Sequence, residues 1–586
     1  MKRVISILFS AVLSVAAVIP VCGARESGKI LKIDFKSEIC EQENNSFSFS
    51  SMSFASLMNG GGSMSLLRMI RTIDYAATDP SVSMIYMTPD NLSAGMAQME
   101  EIRAALKRFR ESGKTIVSYC DNFSNLNYYM ASVADKVVLN PASENYMLGL
   151  ATQQMFLKDA LDMLGVEVQL IRHGKYKSAG EMFTRSDFSP ENYEQNRVMV
   201  NSLWDGICEE VCSSRGIETD DFKAMVANLE LSDAGSFLEH GLVDELWYRD
   251  QLEDYLCEFS SVPLLKMVGF VPLKRYADKV DKMLRKQNRK VKDAVAVVYA
   301  DGEIVVSEGG SSLSSGNSIV GRNLAETLAK VRQDDNIKAV VFRVNSPGGS
   351  VMASEVIKRE MDLLKAVKPV ISSYGDYAAS GGYWISACSD FIFTDRTTLT
   401  GSIGCFSLVP NIGGALKKVA RVNFATVGTS AHSDMMTGMR SLDQSEINYL
   451  QAEVENIYDR FTSIVSEGRK LDKDRVDEIG QGRVWAGADA VGLGLADCIG
   501  GLSAAIAYAA GAAGLEQFNV TEYPEVKPFS FMSLFADDEP VDETITSETA
   551  SAFQSVIRNT FPFASALRKA NSPVMMARMQ YSYSFN

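Results

Sequence analysis

The stretch "YGDYAASGGYWIS", residues 374–386, places one candidate nucleophile, Ser380, among small residues. A hydroxyl that attacks a carbonyl needs backbone N–H groups aimed at the developing oxyanion, and glycines leave such groups unobstructed. Gly381 directly follows the serine. In the earlier segment "VNSPGGS", a strand-like run ends at a Pro-Gly-Gly turn that exposes the amides of Gly348 and Gly349. Together the two segments predict a serine acyl-transfer site.

A serine nucleophile needs a base, and the chain offers histidines or a lysine for this role. The histidines are His173, His240 and His432, and the last of them lies in a polar loop downstream of Ser380. Lys175 and Lys177 follow the strand-like run "VEVQLI". Burial would bring a lysine pKa from about 10.4 down toward roughly 7 or 8, as a base requires. A nearby hydroxyl, for which Ser402 in "LTGSIGC" is a candidate, would hold the amine without adding charge.

The chain repeats itself, and the two copies differ at these positions. A shift of 255 positions aligns "DPSVSMIYMTPDNLSAG", from Asp79, with "DDNIKAVVFRVNSPGGS", from Asp334. Ser380 then lies opposite Asn125, whereas the segment that contains Lys177 has no lysine in its C-terminal counterpart. One copy has kept a serine and the other a lysine. This complementary loss indicates one composite site shared between two similar domains.

Each half alternates strand-like runs with amphipathic helical stretches, which indicates an α/β fold around a mostly parallel sheet. The predicted boundaries are a signal peptide or membrane anchor at 1–24, an N-terminal domain at 25–262 that supplies the lysine, and a basic helical linker at 263–292. A C-terminal domain at 293–520 supplies the serine, and a helix is predicted in the tail at 521–586.

Charge and composition narrow the choice of partner and compartment. The net charge of −15 argues against nucleic acid as a partner, because phosphate binding needs clustered Lys and Arg. The basic start (Lys2, Arg3) and the apolar run after it predict export from the cytoplasm. Nine scattered cysteines and only three histidines, with no CxxC pair, argue against a zinc site. Cys388 and Cys405 are expected to be buried thiols, and no metal or cofactor is expected.

Four segments, "VNSPGGS", "AASGGYWIS", "TGSIG" and "GKYKSAGEMF", carry a resemblance that extends over about residues 30–510. The chain resembles the bacterial signal peptide peptidase A family of the long, duplicated type. These are Ser/Lys-dyad serine proteases related in fold to the Clp protease and crotonase group. The resemblance implies two tandem Clp/crotonase-like domains of repeated ββα units. It makes Ser380 the nucleophile and Lys177 the general base, with Ser402 bonded to the lysine amine and Gly349 and Gly381 as oxyanion donors; Gly348 is the weaker candidate.

The resemblance also implies the biological setting. The substrates would be apolar remnant signal peptides, cut in or at the cytoplasmic membrane, with the catalytic domains on the periplasmic side. The relatives form homotetramers, and they use no cofactor.

Two other hypotheses about function remain open. A crotonase-like acyl-CoA enzyme would also need paired backbone amides, but an exported protein does not meet cytoplasmic CoA. A non-catalytic exported scaffold would carry Ser380 and Lys177 as relics, although the retained glycines and Ser402 favour an enzyme.

Overall fold

A computed structural model of the chain describes residues 28–43, 63–307, 317–525 and 576–578. The predicted signal peptide or anchor at 1–24 lies outside the described residues, as does the segment for which a tail helix is predicted. Within the described ranges, no helix combines the length and the apolar character needed to cross a membrane.

The N-terminal half is built on one parallel sheet. The strands of this half are β1 (Lys29–Ile33), β2 (Ile39–Cys40), β3 (Met64–Ser65), β4 (Val82–Met87), β5 (Thr115–Cys120), β6 (Lys136–Leu139), β7 (Glu167–His173), β8 (Glu245–Leu246) and β9 (Phe270–Pro272). Strands β2 and β3 pair only with each other, and β7 belongs to another sheet. The helices of this half are α1 (Leu66–Thr78), α2 (Met96–Glu111), α3 (Asn125–Ala131), α4 (Lys158–Leu164), α5 (Glu181–Thr184), α6 (Pro190–Arg215), α7 (Thr219–Ala227), α8 (Ala234–Glu239), α9 (Arg249–Phe259) and α10 (Leu273–Gln287). The spatial order of the sheet is β8-β6-β5-β4-β1-β9. Strands such as β4, "VSMIYM", are apolar on both faces because helices cover both sides of a parallel sheet.

The C-terminal half repeats this plan on a larger sheet. Its strands are β10 (Ala294–Asp301), β11 (Glu303–Val305), β12 (Ser318–Val320), β13 (Ile337–Ser346), β14 (Gly348–Ser350), β15 (Val370–Ala379), β16 (Phe391–Thr394), β17 (Leu399–Gly401), β18 (Cys405–Asn411), β19 (Val484–Ala486), β20 (Cys498–Ile499), β21 (Asn519–Tyr523) and, from the tail, β22 (Met576–Arg578). Its helices are α11 (Gly321–Gln333), α12 (Val351–Lys365), α13 (Gly381–Trp384), α14 (Gly413–Ala415), α15 (Gln444–Arg469), α16 (Lys473–Ile479), α17 (Gly487–Gly492) and α18 (Leu502–Ala512). The main path of this sheet is β19-β17-β15-β13-β10-β21, and β16 and β20 extend it from β15.

The predicted duplication is confirmed by the strand positions. Strands β13, β15 and β16 each begin 255 positions after β4, β5 and β6, at Ile337, Val370 and Phe391 against Val82, Thr115 and Lys136. The parallel order of these strands is the same in both halves. The chain is therefore a tandem pair of similar α/β domains, as the repeat in the sequence predicted.

A third sheet joins the two halves. Its order is β12-β11-β14-β22-β18-β7, and β7 is the strand that the N-terminal half contributes. Strands β7 and β18 pair antiparallel, from Glu167 opposite Asn411 to His173 opposite Cys405. This pairing carries the residues that follow β7 to the edge of the C-terminal half.

The basic segment at 263–292, predicted as a linker, is integrated into the N-terminal half. Strand β9 pairs in parallel with β1, and α10 buries Tyr276, Ala277 and Val280 against the N-terminal core. The charged residues of this amphipathic helix lie on its other faces. The predicted end of the C-terminal domain at residue 520 likewise falls within β21, which pairs with β10.

A buried ion-pair network ties the halves together near helix α2. The guanidinium of Arg343, on β13, lies 2.7 Å from the Glu41 carboxylate and 2.8 Å from that of Glu101. All three side chains are buried. Close by, the Asp376 carboxylate on β15 accepts a hydrogen bond of 2.9 Å from the N–H of Ala97. Acidic groups from both halves therefore share one buried region.

Candidate active site

Ser380 lies in a tight turn between strand β15 and the short helix α13. Its backbone has φ 54° and ψ −115°, a left-handed conformation that costs a non-glycine residue about 1–3 kcal/mol. The turn is fixed because the Ser380 N–H donates to the carbonyl of Gly401 (2.8 Å) and its carbonyl accepts from the Trp384 N–H (2.8 Å). The side chain is buried at the carboxyl end of the strand. Ligand sites of parallel α/β sheets form at that end.

Two glycines near this turn are required by close backbone contacts. A Cβ atom on Gly382 would lie 2.6 Å from the carbonyl oxygen of Ser346, and one on Gly349 would lie 2.0 Å from that of Ile304. Gly349 also has φ +154°. Because neither glycine has a Cβ atom, the start of α13 and strand β14 can approach their neighbours closely.

The candidate oxyanion donors differ in their surroundings. The N–H of Gly348 donates to the Ser346 hydroxyl at 3.2 Å. Gly381 is the first residue of α13, where a helix has no carbonyl of its own to accept the N–H. Gly349 lies on β14, and this strand contains both glycines of the segment predicted as a Pro-Gly-Gly turn.

Lys177 reaches the serine from the N-terminal half. Its Nζ atom lies 2.8 Å from Ser380 Oγ, 3.0 Å from Ser402 Oγ and 3.1 Å from the Ser402 carbonyl oxygen. All of these partners are uncharged, and Lys177 is fully buried. Burial lowers the pKa of Lys177 to about 7, with the nearby Cys405 thiol acting in the opposite direction. At neutral pH a large fraction of this amine is therefore unprotonated and able to accept a proton.

Glycines from the C-terminal half make room for Lys177. A Cβ atom on Gly482 would lie 2.5 Å from the Cβ atom of Lys177, and Gly482 has φ +79°. A Cβ atom on Gly404 would lie 3.3 Å from Lys177 Cδ. Gly482 is not among the site residues predicted from the sequence. Its only sequence signal is the Gly-Gln-Gly run at 480–482, which shows neither the left-handed backbone nor the approach of the other half.

Hydrogen bonds to the main chain fix the loop that carries the lysine. The Arg172 guanidinium donates to the Lys177 carbonyl at 2.8 Å and pairs with the buried carboxylate of Glu181 at 3.1 Å. The Gln195 amide, on α6, donates to the Tyr176 carbonyl at 3.0 Å. It also accepts from the N–H of Val484 at 3.3 Å. The loop is therefore held from both halves, and these positioning residues were not predicted from the sequence.

Two of the histidines considered as alternative bases, His432 and His173, have other partners. His432 is half exposed, and its Nδ1 atom lies 3.0 Å from a carboxylate oxygen of Glu446. His173 stacks on Tyr458, with ring centroids 3.7 Å apart. His240 ends helix α8.

Lys175, the other candidate lysine, is exposed, and its ammonium lies over the Tyr176 ring. Of the candidate bases, Lys177 is the residue that the structure brings to Ser380. The cysteines within the described residues are free thiols, among them the buried Cys405 and the partly buried Cys388.

The edge of the site is occupied by the chain's own tail. Strand β22 lies between β14 and β18, with Ala577 opposite Gly349 and Met576 opposite Phe406. It pairs antiparallel with both strands. It also lies against α13, the helix that follows Ser380. An extended peptide therefore fits between β14 and β18 as an additional strand.

Comparison with known proteins gives the family. The model of peptidase family S49 matches residues 108–261 and 362–516, once in each half. Protease 4 of Haemophilus influenzae is 32% identical over 501 residues, which cover 84% of this chain and 79% of that protein. The chloroplastic serine protease SPPA of Arabidopsis thaliana is 31% identical, over 82% of this chain and 69% of that protein. Among solved structures, a ClpP1 mutant from Listeria monocytogenes covers 38% of this chain and 99% of its own, with 13% identity and a TM-score of 0.25.

The resemblance read from the four sequence segments is thus confirmed over most of the chain. The alignment with the Haemophilus influenzae protein is long enough to include both halves, and the family model matches once in each half. The family model matches each half, and a relative is 32% identical over 84% of this chain. This chain therefore belongs to peptidase family S49 and is a serine protease.

Proposed function

We propose that this protease is an endopeptidase that uses a Ser380/Lys177 dyad to degrade remnant signal peptides at the cytoplasmic membrane. The observation that carries the proposal is the 2.8 Å contact between Lys177 Nζ and Ser380 Oγ in a fully buried setting. A buried amine with uncharged partners is a base suited to neutral pH.

The dyad accounts for both halves of an acyl-transfer reaction. Neutral Lys177 takes the proton of the Ser380 hydroxyl as its oxygen attacks the peptide carbonyl, and an acyl-enzyme forms. The protonated amine then gives its proton to the leaving nitrogen, and Lys177 next activates the water that releases the acyl group. The Ser402 hydroxyl, which is hydrogen-bonded to the Lys177 amine, keeps the amine in position during both steps. The N–H groups of Gly349 and Gly381 stabilise the oxyanion.

The proposed substrate class is supported by the name of a relative, and the proposed location by the N-terminal sequence. A relative in Enterococcus faecium, named putative signal peptide peptidase SppA, is 38% identical over 34% of this chain and 57% of that protein. The basic and apolar N-terminal segment is typical of an export signal or anchor, which would place the catalytic halves on the periplasmic side.

Self-association into a homotetramer also belongs to the proposal. Apolar side chains are exposed on the segment that follows β18, among them Val419, Phe424 and Val427. Contact with further copies would remove this apolar surface from water.

The test is hydrolysis of a synthetic signal peptide, with a basic start and an apolar core, by the full chain in detergent micelles. Mass spectrometry of the products should show cuts within the signal peptide, and Ser380→Ala should abolish them. Cleavage of polar peptides with no cleavage of the signal peptide would contradict the substrate class. Absence of cleavage of any peptide would favour a non-catalytic scaffold.

A further inference from the structure

Three residues lie in one row across the third sheet, and two of them are oppositely charged. Strands β11 and β14 run parallel with Ile304 opposite Gly349, so Glu303 lies beside Gly348. On the other side of β14, Gly348 is opposite Arg578 of the tail. The row is therefore Glu303, Gly348 and Arg578.

The absence of a side chain at Gly348 lets the two charged residues meet. Residues two strands apart in a sheet are separated by roughly 10 Å between backbones, a gap that only long side chains bridge. The Arg578 guanidinium lies 3.4 Å from the Glu303 carboxylate, above the glycine. The Glu303 side chain is fully buried, and that of Arg578 is 14% exposed. Burial lowers the pKa of Arg578, while the charge of Glu303 opposes that shift.

A substrate peptide that binds as an added strand would occupy the place of β22, which includes Arg578. Peptides that add a strand to a sheet gain affinity from main-chain hydrogen bonds, and pockets for alternate side chains give the specificity. Strand β22 is bound in this way, antiparallel to the strand that carries Gly349 and next to the helix after Ser380. A substrate that replaces it would place one of its side chains where that of Arg578 now lies, against Glu303.

We infer that Glu303 is a specificity-determining residue, which selects a basic side chain at the substrate position that pairs with Gly348. A substrate arginine would restore the ion pair that Arg578 makes, whereas an apolar side chain would offer the buried carboxylate no cation. This inference rests on the proposed function and refines its substrate class. Signal peptides combine a basic start with an apolar core. The pocket at Glu303 therefore favours cuts near the junction of these two regions.

The test uses the full chain and mixtures of apolar peptides in which a single arginine is moved along the sequence. A matched mixture carries citrulline, the uncharged counterpart of arginine, at each position. Mass spectrometry gives both the cleaved bond and the relative rates within one mixture. Such ratios do not depend on the fraction of enzyme that is folded.

At one position relative to the cleaved bond, we expect the wild type to cut the arginine peptide roughly tenfold or more faster than the citrulline peptide. In Glu303→Gln this ratio should fall toward one. In Glu326→Gln, a change on an exposed face of α11, it should stay as in the wild type. In Glu303→Lys the preference should invert toward a glutamate peptide.

A wild-type ratio near one at every position overturns the inference without any variant. An unchanged ratio in Glu303→Gln overturns it as well. The two proposals fail differently, since apolar peptides that are cut equally well with arginine or citrulline contradict only the role of Glu303. If the wild type cuts no apolar peptide, the proposed function itself fails.

Discussion

The Nζ atom of Lys177 lies 2.8 Å from the Oγ atom of Ser380, although 203 positions separate the two residues in the chain. Each belongs to a different copy of the duplicated domain, and the pairing of β7 with β18 in the third sheet brings them together. The two halves therefore meet at these side chains. In the proposed dyad, each half supplies one of the two residues.

The pKa of Lys177 predicts how activity depends on pH. Burial places this pKa at about 7, and only the neutral amine accepts the serine proton. The value of kcat/KM should therefore fall about tenfold per pH unit below 7 and level off above it. The measurement is kcat/KM for one apolar peptide between pH 5 and 9, over the range where the protein stays folded. A rise that continues without levelling up to pH 9 would contradict a Lys177 pKa near 7.

Gly482 is not part of the dyad, but Gly482→Ala should lower kcat strongly. The added Cβ would lie 2.5 Å from that of Lys177, at a backbone φ of +79° that alanine rarely adopts. Displacing the amine by about 1 Å costs on the order of a hundredfold in kcat. The control is Gly492→Ala, because no atom lies within 4 Å of its added Cβ. Equal kcat values for the two variants would show that Gly482 does not position the lysine.

Asp376→Asn should stabilise the protein at high pH more than at low pH. Burial raises the pKa of Asp376 to about 7, so the folded state holds its proton while the unfolded state loses it near pH 4. The folded state binds more protons between these values, and this group therefore lowers stability as pH rises from about 4 to 7. The asparagine variant keeps an acceptor for the Ala97 N–H and has no carboxyl group to ionise, so it does not lose stability in this way as pH rises.

The measurement is the unfolding midpoint of both proteins at pH 5 and pH 8. The Tm difference in favour of Asp376→Asn should be larger at pH 8. The exposed Asp335→Asn serves as a control, with no such dependence expected. A difference that is the same at both pH values would show that Asp376 titrates normally.

Arg578→Glu should make the active site easier to reach. The change places a second carboxylate against buried Glu303 and removes the ion pair that holds the tail beside β14. Since β22 occupies the place of an extended peptide, a weaker tail competes less, and KM for short apolar peptides should fall severalfold. Arg475→Glu, at an exposed site on α16, is the matched control. An unchanged or higher KM in Arg578→Glu would show that the tail does not compete with substrate.

The repeat made much of this architecture predictable. Strands keep their spacing after a duplication because the sheet needs the same buried apolar runs in each copy, so the 255-position shift located matching strands. Ser380, Lys177 and Ser402 stood out because each lies in a segment where the copies differ or glycines cluster. The structure then brought these three residues into contact.

What the sequence could not predict depends on contacts between distant segments. The requirement for glycine at 482 arises from its approach to Lys177, which exists only after the halves have docked. Strand β22 is three residues long, too short for a periodic pattern, and it is defined by the strands on either side. The segment at 263–292 has the composition of a linker, but its apolar stripe, with Tyr276 and Val280, packs on the N-terminal core.

The most direct test of the composite dyad compares peptide cleavage by Ser380→Ala, Lys177→Met, Lys175→Met and His432→Ala, each checked for the wild-type unfolding midpoint. The methionine keeps the length and apolar stem of lysine and removes only the amine. If Ser380 and Lys177 form the dyad, Ser380→Ala and Lys177→Met should each lower kcat by at least about a hundredfold, while Lys175→Met and His432→Ala should stay near wild type. An active Lys177→Met together with an inactive His432→Ala would contradict the dyad, because the base would then be a histidine.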